Sequence, residues 1–254
     1  LMTAPKRYTF VAVGDNHGDK VDKKSAQALF DFCKKFKPDY RIHLGDCYDI
    51  RSLRSGASNK EASESLQEDL KWGNWFIENF KPTVFLYGNH EDRITNTIDS
   101  TTNSIIQDYC ISLDSKITTV LKKNGCKKII PYHADEGVFQ LGPVVFVHGY
   151  TCGQKAVEEH AIHFAPPKGA CVMGHIHSIQ QSNAKRHRGA VGFSGGCLCK
   201  KKEMGYAKNR LATSKWGTGW VYGFVQGNNW KVWQAHKVGK EFIYSLDQIS
   251  KKKK

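Results

Sequence analysis

The sequence predicts an α/β domain with a parallel sheet covered on both faces. Three observations carry that expectation. Short, continuous apolar runs recur along the chain, the pattern of strands buried on two sides. Amphipathic helical patterns separate several of them, as crossover connections require. Five of the runs also lead into an Asp, Asn or His beside a Gly, and open α/β sheets keep their sites at the C-terminal ends of their strands.

The first run, Tyr8 to Val13, ends in Gly14-Asp15-Asn16-His17-Gly18-Asp19. Asp22 then reads as an N-cap for a helix carrying Ala26, Leu29, Phe30, Cys33 and Phe36, and Pro38 stops it. Strand two, Tyr40 to Leu44, ends in Gly45-Asp46-Cys47-Tyr48-Asp49. After a polar loop over 51–60, one helix is expected from about Asn59 to Phe80, closed by Pro82. Strand three, Thr83 to Leu86, leads into Gly88-Asn89-His90-Glu91. A further helix carries Ile106, Tyr109, Cys110, Leu113, Ile117, Val120 and Leu121 and ends at Asn124-Gly125.

Short strands are expected at Lys128–Pro131 and Val138–Leu141, and a buried one at Val144–Val147 that ends in His148-Gly149. A short helix holds Val157 and Ile162. Ala170 to Met173 is a buried strand ending in Gly174-His175-Ile176-His177. Trp220–Val225 and Trp230–Trp233 flank Gly227-Asn228-Asn229 as a hairpin. Residues 190–254 carry no chemical motif and are expected to complete the second sheet or shape the substrate groove.

At 254 residues with 40% hydrophobic and 24% charged content, the chain is expected to form one globular domain over 1–254, with Lys251 to Lys254 frayed. No apolar run approaches the ~20 residues of a membrane span, and Tyr8 to Gly14 reads as a strand rather than a leader. A cytoplasmic protein is the expectation. The eight cysteines form no Cys-x-x-Cys pair, and most are expected to be reduced core residues. Cys197 and Cys199 alternate within a strand-like run and so share a face. That suits a soft metal, with no other ligand visible nearby. The net charge of +14 fits either a solvated surface or a polyanionic partner such as nucleic acid.

The strand-end residues are Asp15 and His17, Asp46 and Asp49, Asn89 and His90, His148, and His175 and His177. Parallel strands bring such groups to one edge. Carboxylate, amide and imidazole together suit two divalent metals, and a carboxylate can bridge two ions. Such a pair clamps a phosphoryl group and activates a water as nucleophile. Taken singly, each motif is an ordinary turn or surface pair; five together in this order specify a metal site.

The set Gly14-Asp15-x-His17-Gly18, Gly45-Asp46-x-x-Asp49, Gly88-Asn89-His90-Glu91, His148-Gly149 and Gly174-His175-x-His177 resembles the signature of the calcineurin-like metallophosphoesterases. The resemblance implies a four-layer α/β/β/α sandwich with a dinuclear metal centre at the sheet edge. It implies one metal on Asp15, His17, Asp46 and His177, and a second on Asp46, Asn89, His148 and His175, with Asp46 bridging. His90 would face the scissile phosphate, stabilise the transition state and protonate the leaving oxygen, and Asp49 would orient it.

Ile50-Arg51 replaces the Arg-Gly of the phosphoprotein phosphatases, which also lack a closing Gly-His-x-His of this kind. The chain therefore resembles the phosphodiesterase and small-phosphatase side of the family, in the compact form that bacteria and phages encode. Expected activities are phosphodiesterase or nuclease on nucleic acid or nucleotides, then phosphomonoesterase, then a non-catalytic binding module. Manganese is the first metal expected, with iron, zinc, nickel or cobalt as alternatives. Arg51, Arg54 and Arg93 follow the ligand turns, and Lys185, Arg186 and Arg188 follow the last motif, as substrate-binding candidates. Trp216, Trp220 and Trp230 are available either to bases or to the core.

Overall fold

The computed structural model describes residues 5–184, 189–204 and 214–246. Strand β1 (Arg7–Val13) leads to helix α1 (Lys23–Phe36), whose N-cap Asp22 accepts hydrogen bonds from Lys24 N and Ser25 N, as its sequence predicts. Strand β2 (Tyr40–His43) follows. The single helix expected over 59–80 is two, α2 (Asn59–Ala62) and α3 (Leu66–Phe80). The break has a local cause. Ser65 caps a new helix by accepting from Glu68 N, and Ser63 ends the short one that Ser58 and Glu61 begin with a capping box.

Next come β3 (Val84–Leu86), α4 (Asp92–Ser100) and α5 (Ser104–Lys123). Helix α4 has no counterpart in the sequence expectations, because only Ile94 of its nine residues is buried and the apolar period is too sparse to read. The chain continues through β4 (Lys128–Ile130), β5 (Val138–Leu141), β6 (Val144–Val147), α6 (Ala156–Phe164), β7 (Ala170–Met173), β8 (Ile179–Ala184) and β9 (Ala190–Gly195). It ends, among the described residues, with β10 (Gly219–Gln226), β11 (Asn229–Val238) and β12 (Glu241–Ile243).

Two sheets result. The seven-stranded sheet runs β12-β11-β10-β1-β2-β3-β4, and the five-stranded sheet runs β5-β6-β7-β9-β8. Strands β1 to β4 are mutually parallel, as are β6, β7 and β9. Residues beyond 190 thus do more than complete the second sheet. Strand β9 does that, while β10 to β12 extend the first sheet, with β10 antiparallel to β1.

Side-chain alternation along β1 assigns the layers. Phe10 and Ala12 point between the sheets, where they join Ile42, Leu86, Phe146 and Val172. Val11 and Val13 point the other way, into the core made with Leu29, Phe76 and Leu113 of α1, α3 and α5. A third core packs Val157 and Ala161 of α6 on the outer face of the second sheet. This is the α/β/β/α order. Trp220 is fully buried beside Phe242 and Phe32 and belongs to the core rather than to a substrate.

Candidate metal centre

Parallel pairing in both sheets places their motif loops at one edge. Asp15 N donates to Gly45 O at 3.0 Å, His17 N to Asp46 O at 3.0 Å, and Gly174 N to His148 O at 2.8 Å. These bonds lock the loops after β1 and β2 together, and likewise those after β6 and β7. Two glycines are obligatory for the close approach. A Cβ on Gly45, which has φ of 105°, would lie 2.5 Å from Gly88 N; one on Gly88 would lie 2.1 Å from Asp46 Oδ1. Nine described non-glycine residues have positive φ, and five of them are Asp15, His17, Asp46, His175 and His177. Left-handed backbone at such residues costs about 1–3 kcal/mol each and concentrates where function requires it.

The structure brings Asp15, His17, Asp46, Asp49, Asn89, His90, His148, His175 and His177 together. His177 Nε2 lies 3.1 Å from Asp15 Oδ1 and 3.1 Å from His17 Nε2. His17 Nε2, His90 Nε2 and His148 Nε2 lie 3.9, 3.6 and 3.5 Å from Asp46 Oδ2. Asp15, His17 and Asp46 form one group of close donors; Asp46, His148 and His175 form another. Asp46 is the residue they share.

The donor chemistry fits a metal. His148 Nδ1 lies 2.8 Å from Leu44 O, which can only accept, so Nδ1 carries a proton and Nε2 of the neutral ring is a lone pair. That lone pair faces Asn89 Oδ1 at 3.0 Å and the Asp46 carboxylate at 3.5 Å. Three acceptors converge on one point, which a cation satisfies. His177 Nδ1 is buried without a hydrogen-bond partner.

The electrostatics are correspondingly polarised. Burial opposes ionisation of Asp46, yet His148, His90, His17 and His175 hold its carboxyl far below the usual range. Burial and then His148 push His175 down to about 4. Burial also opposes protonation of His90, but Asp46 and Asp49 raise its affinity for a proton. Its Nδ1 lies 2.6 Å from Asp49 Oδ1 and 3.0 Å from Asp49 O.

Several supporting residues lie outside the sequence expectations. Glu91 is fully buried and accepts from four backbone N–H groups: Asp46 at 2.9 Å, Cys47 at 2.7 Å, Tyr48 at 2.9 Å and Gly88 at 2.8 Å. It thereby pins the Asp46 loop to the Asn89 loop. Its sequence signal is its place in the Gly88-Asn89-His90-Glu91 motif, which gives it no role there. Asp69, on α3, accepts from Asp49 N at 2.9 Å and Ile50 N at 2.6 Å, and nothing in the local sequence marks it. Asn16 bridges Cys47 O and His43 Nε2, both at 2.8 Å. Glu91→Ala would strand four buried donors. At ~1–3 kcal/mol for each unsatisfied group, we expect a loss of at least about 4 kcal/mol in chemical denaturation. Wild-type stability in that variant would show the four bonds to be dispensable.

The substrate-binding candidates divide. Arg51 pairs with Asp49 at 2.6 Å and also with Asp19 and Glu64, so its fork is filled inside the chain instead of standing open to a phosphate. Arg54 pairs with Glu61 at 2.6 Å. Arg93 Nη1 donates to Asp49 O at 2.6 Å. The cleft they line with Lys20 is matched by Asp49, Glu61, Glu64 and Glu203, so it is mixed in charge. Lys185, Arg186 and Arg188, like Lys251 to Lys254, lie outside the described residues. Trp230 is anchored by its Nε1–H to Lys168 O at 2.8 Å, while Trp216 packs on His177 with ring centres 4.1 Å apart.

The sequence model of the calcineurin-like phosphoesterases matches residues 8–179, which span every motif above. The chain belongs to that family and is a hydrolase of phosphoric esters. No curated protein matches the chain by sequence. Among solved structures, a metallophosphoesterase from Sphaerobacter thermophilus is 13% identical, with 89% of this chain and 87% of that one covered and a TM-score of 0.45. Vacuolar Protein Sorting 29 from Cryptosporidium parvum is 12% identical, with 93% and 95% covered and a TM-score of 0.46. The phosphoesterase Yfce from E. coli is 12% identical, with 85% and 87% covered and a TM-score of 0.37. Among the described residues no helix is long and apolar enough to cross a membrane.

Proposed function

We propose that this chain is, as one domain, a cytoplasmic dinuclear-metal phosphodiesterase acting on nucleic acid or nucleotides. The observation that carries the reading is the pair of donor groups sharing Asp46, with His90 poised beside them. Asp15, His17, Asp46 and His177 would hold one divalent ion; Asp46, Asn89, His148 and His175 would hold the other. Manganese is the first ion to test, with iron, zinc, nickel and cobalt behind it. When bound, the ions supply a Lewis-acid clamp on the phosphoryl oxygens and an activated water. His90 stabilises the charge that develops and gives its proton to the leaving oxygen. Asp49 orients the ring and favours its protonated form. Glu91 keeps the two loops in register.

The excess of 38 basic over 24 acidic residues supports a polyanionic diester substrate. The mixed cleft beside Asp49 favours a second reading, a phosphomonoesterase. Acidic groups next to the arginines would repel a long polyanion but tolerate a small ester. Hydrolysis of bis(p-nitrophenyl) phosphate against p-nitrophenyl phosphate, with Mn²⁺ restored to stripped protein, separates the two. We expect the diester to be cleaved. Turnover of the monoester alone would sink the diesterase reading and leave the phosphoesterase intact.

A further inference from the structure

Beside the histidines and carboxylates at the sheet edge lies a sulfur, that of Cys199. We propose that Cys199 supplies a thiolate to the metal position of Asp15, His17 and His177, making that position select zinc or ferrous iron over manganese. The proposal rests on the metal reading of the site.

The backbone over 198–200 is stitched to the first motif loop. Leu198 N donates to Asp15 O at 3.2 Å, Asp22 N to Leu198 O at 2.7 Å, and Lys200 N to Lys20 O at 2.7 Å. Cys199 forms an antiparallel bridge with Val21. Alternation then sends Leu198 into the helix-facing core and both cysteines to the opposite side. There they form a small sulfur-rich cluster with Met204, against which Trp216 packs. Trp216 in turn lies on the His177 ring.

The donor atoms of His17, His177 and Cys199 all lie within 4.8 Å of one another, and all three residues are buried. A buried cysteine is ordinarily an inert, apolar filler. This one faces two imidazoles, those of His17 and His177. Cys197 Sγ donates to Gly217 O at 3.6 Å. Cys197 is in none of the close donor groups among the described residues. Ligation needs the thiolate, so the Cys199 proton leaves to solvent as the metal–sulfur bond forms. Soft sulfur shifts preference toward zinc and iron, while the second position, with an amide, a carboxylate and two imidazoles, still suits manganese.

Stripped full-length protein loaded with Co²⁺ tests this. Visible ligand-field bands report metal binding; a near-ultraviolet sulfur-to-cobalt charge-transfer band reports ligation by cysteine. We expect both in the wild type. Cys199→Ser should lose the charge-transfer band and keep the ligand-field bands, and Cys197→Ser and Cys152→Ser should keep both. From an equal zinc and manganese mixture, the bound zinc-to-manganese ratio should fall about tenfold or more in Cys199→Ser.

The Cys152 control matters, because its Sγ lies 3.0 Å from His175 Nε2. Loss of the charge-transfer band in Cys152→Ser or Cys197→Ser instead would overturn the assignment. X-ray absorption of zinc-loaded wild type, which needs no variant, should show sulfur at ~2.3 Å. Wild-type ligand-field bands without the charge-transfer band, or zinc with only nitrogen and oxygen neighbours, would overturn the role of Cys199 and leave the metal reading standing. No cobalt uptake would overturn the metal reading itself.

Discussion

Asp46→Asn protein is expected to lose metal and activity together. Asp46 is the residue that the two donor groups share, and three histidine nitrogens lie within 3.9 Å of its Oδ2. Its Oδ1 accepts the His90 N–H at 3.0 Å, so one carboxylate organises both sides of the site. An amide keeps the shape, removes the charge and presents one oxygen where two are used. Losing an outer-shell partner alone weakens metal binding by about 10–100-fold, so removing a shared ligand should exceed that range. Metal content after equilibrium dialysis, measured alongside turnover, checks the effect. Retention of both ions at parental affinity would remove Asp46 from the bridging position.

His90→Ala should behave in the opposite way, keeping the metals and losing turnover by about 10²–10⁴-fold. His90 is in neither of the two donor groups that meet at Asp46. Its ring is held instead by Asp49, at 2.6 Å, and its backbone N–H is committed to Asp46. Full activity in this variant would dismiss the general-acid role. Asp49→Asn provides the positioning control. Asp49 raises the proton affinity of His90, and the reaction needs His90 protonated. The rate therefore falls as pH rises through that pKa, and Asp49→Asn should move the falling limb to lower pH. A limb that stays in place would reduce Asp49 to a structural carboxylate.

The candidate metal centre is legible in the sequence because its residues are punctuated. Asp15, Asp46, Asn89, His148 and His175 each follow an apolar run and sit beside a glycine, and that pairing survives any uncertainty about strand ends. The supporting groups have no such mark. Glu91 works through four backbone N–H groups of two different loops, and Asp69 reaches the Asp49 loop from a helix twenty residues away. Arg51 reads in sequence as a cation after a ligand turn, yet its function in the fold is set by Asp19, Asp49 and Glu64, which surround it.

Local pattern was likewise sufficient for α1, α5 and the β10–β11 hairpin, where caps, apolar period and turn residues agree. It failed at residues 63–65, where two serines out-compete a helix that the apolar spacing alone would continue. It also pointed residues 190–254 to the second sheet, whereas β10 to β12 join the first, because a strand's sheet is chosen by which edge remains open, and β1 offered that edge.

The sequence by itself determined the family, the phosphoester chemistry and the identity of the residues at the strand ends, since short-range periodicity and motif order are properties of the chain. Only the tertiary structure decided which donors share Asp46, which arginines are neutralised, and that Cys199 faces His17 and His177. Those are distances between residues up to 182 positions apart, and they exist only after two sheets have closed on a common edge.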